Sequence, residues 1–154
     1  MKILYADNPP IITTEKSIFL VGPTPRNSCI VSWRPEAIRI LENNKFDGTV
    51  LVPERSDWSS LNSYIDQVDW EYECLKNCSI IAAWVPRDMA CMPALTTNTE
   101  LGYWLAKTPQ KVFYARPTNA PHTRYQDWLY QKETGRKPID NLVDLIKESI
   151  KNAN

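Results

Sequence analysis

The stretch from Thr96 to Leu105, TTNTELGYWL, decides how the rest of the chain is interpreted. It follows the uninterrupted apolar segment Ser79–Val85, SIIAAWV, whose composition is typical of a buried parallel strand. A loop beginning at Pro86 separates the two, and an apolar helical pattern then begins with Glu100 in its first turn. We therefore expect Glu100 at the carboxyl edge of an open α/β sheet, where sheets of this class bind ligands.

The same motif has a purely structural interpretation. Thr97 and Glu100 have the spacing of a capping box, in which the two side chains satisfy helix amides. Gly102 favours function, because glycine inside a helix costs about 1 kcal/mol relative to alanine and is accepted where something approaches the backbone closely. The motif alone leaves both interpretations open.

Apolar segments with strand character alternate with helical patterns along the whole chain. The predicted strands are 1–5, 17–21, 49–52, 79–85 and 111–115, and the predicted helices are 33–46, 65–77, 97–105, 124–132 and 138–153. This alternation predicts an α/β fold: a single Rossmann-like, flavodoxin-like domain over residues 1–154, with a parallel sheet of about five strands and helices on both faces. Residues 57–64 are polar and predict a surface loop.

The helix predicted over 65–77 has a core stripe at three- and four-residue spacing. The stripe consists of Ile65, Val68, Tyr72 and Leu75. Trp70 then points away from the core, which favours a contact with another subunit over a solitary exposed tryptophan. Asp69 and Glu71 flank the stripe on opposite sides.

Composition excludes several function classes. Eighteen basic and eighteen acidic residues give no net charge, which argues against general nucleic-acid binding. Four cysteines without a CxxC pair and the single His122 do not build a zinc site, and the standard dinucleotide and triphosphate loops are absent, so we expect neither metal nor cofactor. No signal peptide or membrane-length apolar run is present, and we expect a soluble, cytoplasmic protein without membrane contact.

Polar and proline-shaped segments follow the predicted strands at one edge of the sheet. These segments are 22–26, 53–56, 86–88 and Arg116. Together they predict one cleft rich in arginine and carboxylate groups. Without a paired histidine or thiol, a carboxylate nucleophile is the simplest chemistry for this cleft, and glycosyl transfer uses such nucleophiles.

Three motifs carry a resemblance to a known family. FLVGP at 19–23, WVPRD at 84–88 and TNTELGY at 97–103 together resemble the nucleoside 2-deoxyribosyltransferase family, in a divergent branch related to deoxynucleotide N-hydrolases. The similarity extends from about Ser17 to Leu105. It implies that Glu100 is a nucleophile that attacks C1′ of a 2-deoxyribosyl group, forming a covalent deoxyribosyl-enzyme from which a second base or water takes the sugar.

The resemblance also implies further site residues. Gly22, Pro23, Thr24 and Arg26 lie in the family's loop near the sugar or its 5′ end, and Trp33, Trp84, Asn98 and Gly102 are further candidates for substrate binding. Packing in the core or the cleft wall is the favoured alternative for the two tryptophans. The family's carboxylate on the preceding helix falls at Trp70, which makes Asp69 or Glu71 its counterpart. The family's Asp six residues before the nucleophile is Ala94 here, and Asp88 is the candidate replacement.

These observations predict an enzyme acting on the N-glycosidic bond of 2′-deoxynucleosides or their 5′-monophosphates, by transfer or hydrolysis. The alternative is a non-catalytic nucleotide-binding or sensing module on the same fold. In the family, subunits complete one another's sites, so we expect a homo-oligomer, a dimer or larger.

Overall fold

The computed structural model describes residues 1–10, 15–25, 30–55 and 64–153. Its strands are β1 (Lys2–Tyr5), β2 (Ser17–Val21), β3 (Thr49–Val52), β4 (Ile80–Trp84) and β5 (Val112–Ala115). Its α-helices are α1 (Arg34–Asn43), α2 (Tyr64–Asn77), α3 (Leu95–Lys107), α4 (Arg124–Thr134) and α5 (Leu142–Asn152), with a 3₁₀ turn at Pro109–Lys111 before β5. The part of the predicted surface loop before Tyr64 lies outside the described residues.

All strand pairs in the sheet are parallel, in the order β1-β3-β2-β4-β5. β2 and β4 carry only buried residues, because both of their faces are covered. One core cluster joins α2, α3 and α4 to one face of the sheet, and a second joins α1 and α5 to the other face. The predicted α/β, flavodoxin-like arrangement with a five-stranded parallel sheet is therefore confirmed.

The strand order reverses between β2 and β4. After β2 the chain passes through α1 to β3 on one side, and after β3 it returns through α2 to β4 on the other side of β2. The connections that leave β2 and β4 at their carboxyl ends therefore diverge. A crevice opens at such a reversal, and it is the usual ligand site of this architecture.

The predicted orientation of α2 is wrong. Trp70 is buried and packs on Phe19 of β2, with ring centroids 6.0 Å apart, whereas Ile65 is 66% exposed and Val68 is 40% exposed. The helix has two apolar faces, and the sheet takes the face that carries Trp70, Cys74 and Leu75 because the large indole fills the space above Phe19. The predicted subunit contact through Trp70 is therefore wrong too.

Aromatic rings connect α2 to α3 at the surface. The ring of Tyr72 lies 5.9 Å from that of Trp104, and its hydroxyl lies 3.2 Å from the hydroxyl of Tyr103. Trp104 is buried beneath this pair. These contacts fix the spacing of the two helices.

The last helix is shorter than predicted. Ile139 pairs with the end of β5, where its amide donates to the carbonyl of Tyr114 and its carbonyl accepts from the amide of Arg116. α5 begins only after Asn141, whose side chain accepts from the Asp144 amide and caps the helix. In the described ranges, no helix is long and apolar enough to cross a membrane.

Candidate active site

A cleft of about 230 Å³ opens at the carboxyl ends of β2 and β4. Its walls are the loop after β2, the first half of α2 and the segment that leads into α3. The lining residues are Gly22, Pro23, Thr24, Arg34, Pro53, Tyr64, Gln67, Val68, Glu71, Pro93, Ala94, Leu95, Thr96, Thr97 and Glu100. The cleft lies at the strand-order reversal. Of the four segments predicted to form it, 22–26 and 53–56 contribute lining residues, whereas 86–88 and Arg116 do not, because Arg116 pairs with Asp127 on α4 instead.

Glu100 lies in the second turn of α3 and lines the cleft. The helix begins at Leu95, and its N-cap residue is Ala94, which has a left-handed backbone (φ 58°) and offers no side chain to the helix amides. Thr97 is therefore buried inside the first turn rather than capping it, and the predicted capping box is wrong. The Glu100 carboxyl is left available to the cleft.

Glu71 of α2 supplies a second carboxyl group, which forms a hydrogen bond with that of Glu100. Burial, together with the adjacent Glu71 charge, raises the pKa of Glu100 to about 8. Burial also raises the pKa of Glu71, although a hydrogen bond from Gln67 and the charge of Arg34 oppose this rise. Two carboxylates in such contact cannot both be ionised easily, so the pair retains one proton near neutral pH.

Arg34 is the cation of the site, and its side chain is 1% exposed. Its guanidinium donates to the carbonyl oxygens of Leu20 (3.2 Å) and Gly22 (2.6 Å) and to the Thr24 hydroxyl (3.1 Å). It also forms an ion pair with Glu54 at 2.8 Å, at the end of β3. One buried cation thus fixes the loop after β2. Its positive charge also partly offsets the rise that burial causes in the pKa of both cleft carboxyls.

Close packing behind the loop explains Gly22. A Cβ at this position would collide with the carbonyl oxygen of Trp84 and would lie 2.7 Å from a ring carbon of Trp33. The indole of Trp33 donates to the carbonyl of Pro23 at 3.2 Å. Trp33 and Trp84 are therefore buried supports of the loop and do not line the cleft themselves.

Two predicted binding residues on α3 lie away from the cleft lining. The Asn98 side chain accepts a hydrogen bond from Arg87, which follows β4, and so ties α3 to the strand end. A Cβ on Gly102 would meet nothing within 4 Å, so no neighbour in the described chain requires glycine there.

Of the other predicted residues, Glu71 joins the site and Asp69 does not. Asp69 is exposed on α2 and does not line the cleft. Asp88 also lies outside the lining, because its carboxylate accepts from the amides of Ala90 and Cys91 and shapes a turn. Arg26 lies outside the described residues.

Sequence reasoning missed Arg34 and Gln67. Arg34 lies three residues before Ala37 and seven before Leu41, which places it on the buried face of α1. A charged residue on a core-facing stripe was therefore the signal in the sequence. Gln67 lies one helical turn before Glu71, a spacing at which side chains meet. Neither spacing is enough to predict a functional role, because only the folded structure shows that both side chains lie at the cleft.

The chemistry of the site is that of paired carboxyl groups. Within the described ranges, no three His, Cys, Asp or Glu side chains come together as a metal site would require. One carboxyl of a pair that shares a proton can act as a nucleophile while the other carries the proton.

Comparison with known protein families gives a match. A family model described as nucleoside 2-deoxyribosyltransferase like matches residues 15–118, more than half of the chain. A search of the curated proteins finds no match to the chain.

Proposed function

Because the chain belongs to the nucleoside 2-deoxyribosyltransferase like family, we propose that it breaks the N-glycosidic bond of a 2′-deoxynucleoside or of its 5′-monophosphate. The observation that carries the proposal is the contact between the Glu100 and Glu71 carboxyl groups inside the cleft. The pair offers the nucleophile and the proton that this reaction needs, side by side in the lining of one cleft.

Glu100 attacks C1′ of the sugar, and the glycosidic electron pair leaves with the base nitrogen. Glu71 donates a proton to that nitrogen, so the base departs neutral. The sugar is then held as an ester of Glu100. In the second step a new base or water attacks C1′, gives its proton to Glu71 and releases the Glu100 carboxylate.

The loop after β2 is the proposed sugar-binding wall. Gly22, Pro23 and Thr24 line the cleft, and Arg34 holds them from behind. A fixed wall of this kind favours one orientation of the sugar relative to Glu100, which is the main requirement for attack at a single carbon. We propose Arg26 as the group that binds a 5′-phosphate, and the family resemblance is what supports this.

We also propose that the protein is a homo-oligomer. Exposed apolar side chains lie on α2 and α3, and we call them the α2–α3 patch; it consists of Tyr64, Ile65, Val68, Tyr72, Leu95 and Tyr103. Three of these residues also line the cleft. A second copy on this patch would cover the apolar surface and close the open side of the cleft.

A non-catalytic nucleotide-binding module is the second candidate. The observation that favours it is Ala94, which lines the cleft with a methyl group where the resemblance expects a carboxylate. A protein of this kind would bind a deoxynucleotide without releasing its base.

Intact-protein mass spectrometry tests the proposal. The protein is incubated briefly with a panel of deoxynucleosides and deoxynucleotides and quenched in acid. We expect a deoxyribosyl adduct that maps to Glu100, disappears in Glu100→Gln and persists in the control Glu133→Gln, an exposed position on α4. Free base without an adduct would indicate a rapidly hydrolysed intermediate. Ligand binding with neither adduct nor free base would favour the binding module.

A further inference from the structure

Gln67 makes three hydrogen bonds beside the carboxyl pair. Its side-chain nitrogen donates to Glu71 Oε1 at 3.0 Å and to the carbonyl of Pro53 at 3.5 Å. Its side-chain oxygen accepts from Nε of Arg55 at 3.2 Å. Gln67 also lines the cleft, so this network reaches the place where a ligand would lie.

The neighbours of Gln67 determine which way its amide points. A guanidinium has only donors, so the amide oxygen must face Arg55 and the amide nitrogen must face Glu71. Arg55 is 8% exposed, which limits the freedom of the guanidinium. Gln67 therefore presents a fixed donor to one oxygen of Glu71.

A fixed donor affects where the proton of the pair resides. An amide N–H stabilises an ionised carboxylate more than a protonated carboxyl. Gln67 gives such a bond to Glu71 and not to Glu100, and among the described residues no side-chain N–H donates to Glu100 in the same way. In the empty cleft the proton therefore favours Glu100, and Glu71 is its acceptor.

We propose that Gln67, oriented by Arg55, is a positioning residue that keeps Glu71 ionised and aimed at Glu100, so that the proton released by Glu100 as it attacks is the one delivered to the departing base. As the Glu100 oxygen bonds to C1′, its proton passes to Glu71. Glu71 then delivers that proton to the base nitrogen, which takes the electron pair of the broken glycosidic bond. No outside acid or base is required. The catalytic part of this inference rests on the proposed function. The position of the proton in the ligand-free protein does not depend on it.

The charged groups around the pair define what a titration would report. Arg34 approaches from α1 and lowers the pKa of both carboxyls, while Glu54 partly neutralises Arg34 from the end of β3. Arg55 acts from behind Gln67. A substitution at Gln67 leaves Arg34 and Glu54 in place but changes the partner of Arg55, so one variant that removes that partner is compared with one that keeps it.

The test is a carboxyl-carbon NMR titration of the ligand-free protein labelled at glutamate. Signals are assigned with Glu71→Gln and Glu100→Gln. Gln67→Met removes the donor, and Gln67→Glu keeps the size and a partner for Arg55 while replacing the donor with an acceptor. We expect both titration midpoints of the pair to rise by about one pH unit in Gln67→Met and by at least as much in Gln67→Glu. Gln131→Met, exposed on α4, is the control and should leave them unchanged.

The kinetic counterpart is the pH profile of base release. The singly protonated pair is the active form, so kcat/KM should fall as the pair loses its last proton, and this falling limb should move to higher pH in both Gln67 variants. A merely structural role would lower the rate equally at every pH. Unchanged midpoints in folded Gln67 variants would overturn the inference even if the wild type is active. An inactive wild type with shifted midpoints would instead overturn the proposed function and leave the role of Gln67 standing.

Discussion

The Nη2 atom of Arg34 lies 2.6 Å from the carbonyl oxygen of Gly22, so a side chain from the first turn of α1 fixes one wall of the cleft. The same guanidinium pairs with Glu54, which follows a different strand. The loop after β2 and the end of β3 are therefore joined through one buried cation. Its removal should disturb the cleft and the stability of the protein together.

Substitution of Arg34 by Met should destabilise the protein by about 3–5 kcal/mol, because it leaves Glu54 in a largely buried position without its partner. Arg34→Lys should recover only part of this loss, since an ammonium group cannot reproduce the planar donor pattern of a guanidinium. Urea unfolding measures both. Arg39→Met is the control: Arg39 pairs with Glu36 at the surface, where solvent screens the pair, and its loss should cost much less. Equal losses of stability at Arg34 and Arg39 would contradict the role of Arg34 as the buried partner of Glu54.

Alanine at two glycines should have opposite effects. Gly22→Ala should destabilise the protein by roughly 1–3 kcal/mol and reduce ligand binding, because its methyl group would displace Trp33 or the Trp84 carbonyl. Gly102→Ala should stabilise α3 by up to about 1 kcal/mol, since the methyl group meets no neighbour. Thermal melts compare the two. If Gly102→Ala keeps its stability but loses activity, a ligand or a second copy approaches α3 there, as the sequence interpretation of Gly102 expects.

Glu100→Gln should change how stability depends on pH. The pKa of Glu100 is raised from 4.5 to about 8, so between these values the folded protein holds a proton that the unfolded chain has lost. The free energy of unfolding of the wild type should therefore decrease as pH rises from about 4.5 to about 8, and then level off. Glutamine carries no such proton, so the variant should be more stable than the wild type by about 1–3 kcal/mol near pH 9.

Denaturant melts at several pH values test this prediction. The advantage of Glu100→Gln over the wild type should be small near pH 4.5 and should grow up to about pH 8. An advantage that does not change with pH would show that Glu100 titrates normally, and the shared proton would then have to be abandoned.

A lysine on the α2–α3 patch should dissociate the proposed oligomer. Ile65 is 66% exposed, so Ile65→Lys should not disturb the folded subunit but would place a charge in the subunit contact. Light scattering after size-exclusion chromatography should show a smaller mass for the variant than for the wild type. Val143→Lys, on α5 at the opposite face of the sheet, is the matched control and should keep the wild-type mass. A monomeric wild type would contradict the oligomer directly.

The layout of the fold was predictable because its strands are mostly apolar and its helices are separated from them by glycine, proline and polar turns. The face of α2 was not predictable, since Ile65, Val68 and Tyr72 form as regular an apolar stripe as the residues that are buried. Only the space above Phe19 selects Trp70. Local periodicity does not contain that information.

The candidate site was predictable in part. Glu100 could be placed at the carboxyl edge of the sheet from its position after a buried strand. Its release from helix capping depends on Ala94 in a left-handed conformation, which the identity of a non-glycine residue does not indicate. Arg34 was missed because Pro35 predicts the start of a helix but does not predict that the side chain before it is buried.

The aromatic contacts between α2 and α3 have a mechanical consequence for the site. Glu71 and Glu100 belong to different helices, so the length of the hydrogen bond between them is set by how far apart those helices are held. Tyr72 and Trp104, with rings 5.9 Å apart, hold that separation from outside the cleft. A smaller side chain at either position would change the distance between the helices. It would thereby change the pKa values of Glu71 and Glu100 without contacting either carboxyl group. Substitutions outside the cleft of this protein can therefore change the acidity of the groups inside it.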